Sequence, residues 1–185
     1  MNLKNIVESY RQDLIRSTQE LIRIRSVREE TPHSMPFGKG MNDALEYVLA
    51  LARKLGFETK NLDGFCGYAE YGEGDLYVGI MTHVDTCPEG ELWAMPPFEA
   101  NIKNNKIYGR GSMDNKGPLM AALYGVKALM DSDKKINKKI RIIIGTDEER
   151  YYRDMEYYLQ KERPPIAGFT LDGQFPVVFA EKGLA

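Results

Sequence analysis

The sequence predicts an α/β fold, a mixed and largely parallel sheet with helices on both faces. Three observations carry this. The run 76–82 is almost continuously apolar, which suits a strand buried on both faces. Segments 3–24 and 41–55 repeat apolar residues at intervals of three and four, the helical period. Three strand exits carry acid or histidine: His83 and Asp85, then Glu148 and Glu149, then Asp172. In an open α/β sheet ligands bind at that carboxyl edge, so side chains distant in sequence can converge there.

The elements follow in order. Leu3, Ile6, Val7, Tyr10, Leu14, Leu21 and Ile22 place one helix over 3–24. Pro32, Pro36, Gly38 and Gly40 make the next stretch a loop, and 41–55 is a helix stopped by Gly56. Strands are expected near 57–62, 66–71 and 76–82. Alternating runs around Asn104 and Asn105 signal a hairpin. A helix over 119–130 has Asp114 or Asn115 near its cap and Pro118 in its first turn. Strand 139–145, a helix from about 151 to 161, and strands 166–171 and 176–181 complete the order.

Composition narrows the function. The chain has 185 residues, and 25 basic against 27 acidic residues give a net charge of −2. That leaves no electrostatic footprint for nucleic acid and no basic stripe for a membrane surface. The amphipathic N-terminus reads as neither signal peptide nor membrane span, so a cytoplasmic location is expected. Two cysteines, Cys66 and Cys87, form no disulfide framework, and Cys87 is read as a small packing residue.

The acids and the imidazole form a donor set that suits one or two zinc ions. His83 followed by Asp85 fits a histidine ligand whose other ring N–H is held by an acid; it equally fits a satisfied histidine at a strand end. In the pair Glu148 and Glu149, one acid can bind metal while its neighbour takes a proton from water. The stretch 147–150 also reads as an acidic cap opening the next helix. Asp114 sits in a Gly-rich turn and can bridge two ions or cap a helix, and Asp172 before Gly173 also fits an ordinary turn. His33 reads as a surface residue.

Motifs in fixed order add to this: Pro36-Phe-Gly38, Thr82-His-Val-Asp85, Trp93 with Pro96-Pro-Phe98, Gly109-Arg-Gly-Ser-Met-Asp-Asn-Lys-Gly117, Gly145-Thr-Asp-Glu-Glu149 and Leu171-Asp-Gly-Gln-Phe-Pro176. On them the chain resembles the co-catalytic zinc dipeptidases of the aminoacylase and carboxypeptidase superfamily, the dipeptidase V and carnosinase-like branch. The resemblance implies that His83 and Asp172 hold one zinc, Glu149 the other, and Asp114 bridges both. It implies Glu148 as general base and Asp85 as the residue orienting His83, with a dipeptide or short peptide as substrate. Manganese or cobalt would also accept the set.

Two departures accompany the resemblance. The later histidine of the second zinc site and the lid domain of the family are absent, so residues 1–185 read as the N-terminal part of a catalytic domain, with little activity expected in isolation. Gln174 stands where an acid is frequent, and Arg150 follows the glutamate pair. Two other readings stay open: an N-acyl amino acid deacylase of the same superfamily, and a non-catalytic truncated remnant that self-associates through its C-terminal strand.

Overall fold

The computed structural model describes residues 2–29 and 35–173. His33, Gln174 and the expected strand 176–181 lie outside the described residues. The expected first helix is two: α1 (Leu3–Ser9) and α2 (Arg11–Arg23). They part at Tyr10, whose ring packs 5.7 Å from that of Tyr124. The Tyr10 hydroxyl donates to Asp131 at the far end of a later helix. A tertiary anchor at one residue thus divides an otherwise regular apolar repeat.

Helix α3 (Lys39–Lys54) follows, then strands β1 (Glu58–Leu62), β2 (Cys66–Tyr71) and β3 (Tyr77–His83). The hairpin is β4 (Asn101–Lys103) and β5 (Lys106–Tyr108). Asn104 and Asn105 between them both take positive φ, 51° and 57°, the conformation a two-residue hairpin turn demands. Helix α4 (Lys116–Met130), strand β6 (Lys139–Gly145), helix α5 (Arg153–Lys161) and strand β7 (Ala167–Thr170) complete the described elements.

The main sheet has the order β1-β2-β6-β3-β7. β2 is antiparallel to both β1 and β6, whereas β3 is parallel to both β6 and β7. Four strands therefore share one direction, and β2 alone is reversed. One face buries Ala69, Ile80, Ile142 and Ile144 against Leu21 of α2, Leu45 and Leu49 of α3, and Leu119 and Leu123 of α4. The other face buries Tyr68, Tyr77 and Ile143 against Tyr158 of α5. Each fully buried leucine or isoleucine contributes about 1.5–3 kcal/mol. No helix among the described residues is long and apolar enough to cross a membrane.

The parallel trio β6-β3-β7 brings its carboxyl ends to one edge. His83 pairs with Gly145, and the Leu171 N–H donates to Met81 O just beyond β7. The loop before α4 reaches the same edge, because Lys116, fully buried, donates through Nζ to Leu21 O at 3.1 Å and Ile24 O at 2.7 Å. These carbonyls end α2, so a lysine of one helix caps another.

Candidate metal centre

His83, at the end of β3, is 2% exposed. Its Nδ1 lies 3.2 Å from Asp85 Oδ1 and 3.1 Å from the Asp85 backbone carbonyl. The carbonyl accepts a proton held on Nδ1, the Asp85 carboxylate adds its charge beside it, and together they fix the ring plane, leaving Nε2 directed outward. Around Nε2 stand Asp114 Oδ1 at 3.1 Å, Asp172 Oδ2 at 3.4 Å and Glu148 Oε2 at 3.8 Å. Nε2 is buried, yet it has no hydrogen-bond partner among the described residues. One imidazole nitrogen and carboxylate oxygens from Asp114 and Asp172 lie within 4.8 Å of one another. That is a donor set a zinc-type cation accepts.

Each acid has its own support. Asp85 Oδ2 accepts the Glu149 N–H at 2.9 Å, so one carboxylate links the exits of β3 and β6. Asp172 Oδ1 accepts from Asn115 Nδ2 at 3.2 Å. Glu148 Oε1 accepts from the Tyr152 hydroxyl, which leaves Oε2 toward His83. Tyr152 is left-handed, with φ 54°, an uncommon conformation for a bulky residue. A cavity of 610 Å³ opens beside these groups, with His83, Glu148, Tyr152, Met155, Phe169 and Asp172 in its wall.

The loop bearing the glutamates is a turn and not the opening of a helix. The N–H groups of Arg150, Tyr151 and Tyr152 all converge on Asp147 O, and α5 starts only at Arg153. Asp147 is 1% exposed and pairs with Arg28 and Arg153, which corrects the reading of 147–150 as a solvated cap. Asp154 accepts the Thr146 and Asp147 N–H groups at 2.7 and 3.0 Å. A Cβ on Gly145 would stand 2.5 Å from Asp154 Oδ2, so this close approach requires glycine.

Electrostatics agree with a cation site. Burial opposes the charged His83 ring, but the Asp85 hydrogen bond and the charges of Asp85, Glu148 and Asp172 push its pKa up to about 9. Burial, then the Asp172 and Glu149 charges, raises the Asp114 carboxyl above its ordinary range. Burial also raises Glu148, against the lowering effect of the Tyr152 hydrogen bond. Acids crowded this closely gain from a divalent ion, whose charge inverts the local balance.

Of the residues singled out from sequence, Asp114, Glu148 and Asp172 gather around His83 Nε2, and Asp85 stands at His83 Nδ1. Glu149 stands to one side with Cys87, whose N–H and thiol donate to its two oxygens at 3.2 and 2.9 Å. Cys87 is therefore a hydrogen-bonding residue of this edge, not the packing residue expected. Asn115, Tyr152 and Asp154 carried no signal of a supporting role, since their partners are set by tertiary folding. The Asp114–Asn115 peptide is cis.

The sequence pattern of peptidase family M20/M25/M40 matches residues 79–178. A provisionally named dipeptidase of Bacillus subtilis (strain 168), YtjP, is 48% identical over 100% of this chain and 40% of its own length. The Beta-Ala-Xaa dipeptidase of Lactobacillus delbrueckii subsp. lactis is 36% identical, again over 100% and 40%. The solved structure of the dipeptidase Dug1p from Saccharomyces cerevisiae superposes with a TM-score of 0.73 at 19% identity, covering 89% of this chain and 38% of that one, a likeness of fold. The chain thus spans about two fifths of the length of the curated relatives it matches.

Proposed function

Because the chain belongs to peptidase family M20/M25/M40, we propose that it is the N-terminal part of a catalytic domain for metal-dependent hydrolysis of the amide bond in dipeptides or short peptides. The observation that carries this reading is the unpartnered, buried Nε2 of His83 facing Asp114, Asp172 and Glu148. His83, Asp114 and Asp172 would hold metal at this cluster, with Glu149 as a further carboxylate ligand; zinc is favoured by the donor set, with manganese and cobalt acceptable to it. When bound, such ions polarise a carbonyl and bring the pKa of water toward about 7.

The chain's own residues supply positioning and proton transfer. Asp85 fixes the tautomer and plane of His83. Glu148, with Oε1 engaged by Tyr152, presents Oε2 as the base that takes a proton from the attacking water. The same carboxyl then returns the proton to the departing amine nitrogen. Its raised pKa suits both halves of that cycle. A cytoplasmic location accords with the free thiols of Cys66 and Cys87.

The test is twofold. Zn²⁺ titrated against a chromophoric chelator should bind the chain tightly and fail to bind His83→Ala. Comparing β-alanyl dipeptides with N-acetyl amino acids in a full-length relative then separates peptidase from deacylase, with dipeptides expected to be cleaved faster. Unimpaired Zn²⁺ binding by His83→Ala would sink the reading.

A further inference from the structure

Asn115 follows Asp114 directly, is fully buried and has no ligand role in the set described above. Its carboxamide nitrogen spends both hydrogens on the loop after β7, donating to Asp172 Oδ1 at 3.2 Å and to Leu171 O at 3.4 Å. Its carboxamide oxygen is buried with no hydrogen-bond partner among the described residues. Leaving an acceptor so costs about 1–3 kcal/mol. A leucine of similar size would fill the space without that cost, so packing alone does not account for an amide here. The donor end is what the position uses.

We propose that Asn115 is a positioning residue that aims Asp172 at the cation. Asp172 lies on the loop after β7, where its residue is exposed and a free carboxylate would sample several rotamers. With Oδ1 held by Asn115, the other oxygen is the one turned to His83 Nε2, at 3.4 Å. The carboxylate is thereby presented through a single oxygen. Asp114 and Asn115 then act as a unit, one side chain donating to the ion and the next fixing a ligand 57 residues away. The Leu171 bond holds the backbone of the same loop to the start of α4. This inference rests on the cation-site reading above.

The experiment is a double-mutant cycle on the chain itself, read as Zn²⁺ affinity by chelator competition. Asn115→Leu should weaken binding about 10–100-fold, the usual loss when the partner of a metal ligand is removed. In Asp172→Ala the same substitution should cost less than about twofold, because its target is gone. Asn115→Ala serves as a second variant, and metal-free melting of each variant checks that the fold is intact.

Affinity of Asn115→Leu within threefold of the parent, or an equal loss with and without Asp172, would overturn the proposal. Failure of the site reading looks different: His83→Ala would then bind as well as the parent, or the parent would bind no Zn²⁺, and the proposal would fall with it.

Discussion

Asp85 Oδ1 sits 3.2 Å from His83 Nδ1, two residues back on the same strand exit, while its other oxygen accepts the Glu149 N–H at 2.9 Å. Asp85→Asn places a second donor opposite one of these N–H groups. It should weaken Zn²⁺ binding about 10–100-fold in the chelator assay, with little change in secondary structure by circular dichroism.

Glu148 is expected to move protons rather than hold the ion. Glu148→Gln should keep Zn²⁺ affinity within about threefold. The equivalent change in a full-length relative should lower dipeptide hydrolysis about 100-fold or more, the usual share of a general base. Equal loss of both properties would assign Glu148 to the ligand set instead.

Lys116 gives a pH dependence whose sign is fixed. Burial lowers its ammonium pKa to about 7 from an ordinary 10.5. Below pH 7 it is charged in folded and unfolded chains alike, and the penalty for burying charge is fully present. Between about pH 7 and 10.5 the folded protein gives up this proton while the unfolded chain keeps it, so stability rises with pH. Urea unfolding at pH 7 and pH 10 should show a gain on the order of 2–4 kcal/mol for the parent relative to Lys116→Met.

Arg141 is 7% exposed, with its guanidinium 3.8 Å from the Tyr68 ring centroid and 4.4 Å from that of Tyr77. It also pairs with Glu70 and Glu162 at 2.8 and 3.0 Å. Arg141→Met would leave Glu70 with Lys139 and Glu162 with Lys60, at 2.9 and 2.7 Å, so its cost in urea unfolding should fall below the about 3–5 kcal/mol of a buried charge left without a partner. Zn²⁺ affinity, measured under folding conditions, should be unchanged, because this network touches none of the cation donors.

Much of the fold was legible because hydrophobic period and turn chemistry are local. Strands 66–71 and 139–145 occupy the residues their patterns indicated, and the two asparagines of the hairpin both adopt the left-handed conformation. The division at Tyr10 was not legible: its cause is a hydroxyl bond to Asp131, 121 residues away. The same asymmetry holds at the site. Acids at strand exits could be collected by inspection, since topology decides where exits lie. Asn115 and Tyr152 could not, because an amide or phenol in a turn has no spacing that distinguishes support from exposure.

The parallel pairing of β3 with β6 and β7 places the cation donors of one cluster at positions 83, 114 and 172. No local hairpin can bring those groups together; two crossover connections must close first, and such long-range closures form slowly. An ion bound there would cross-link donors far apart in sequence and have almost no partner in the unfolded chain. Stripping it with a chelator should therefore lower the melting temperature, and by more at higher starting ion concentration, because the whole binding free energy acts on the folded state.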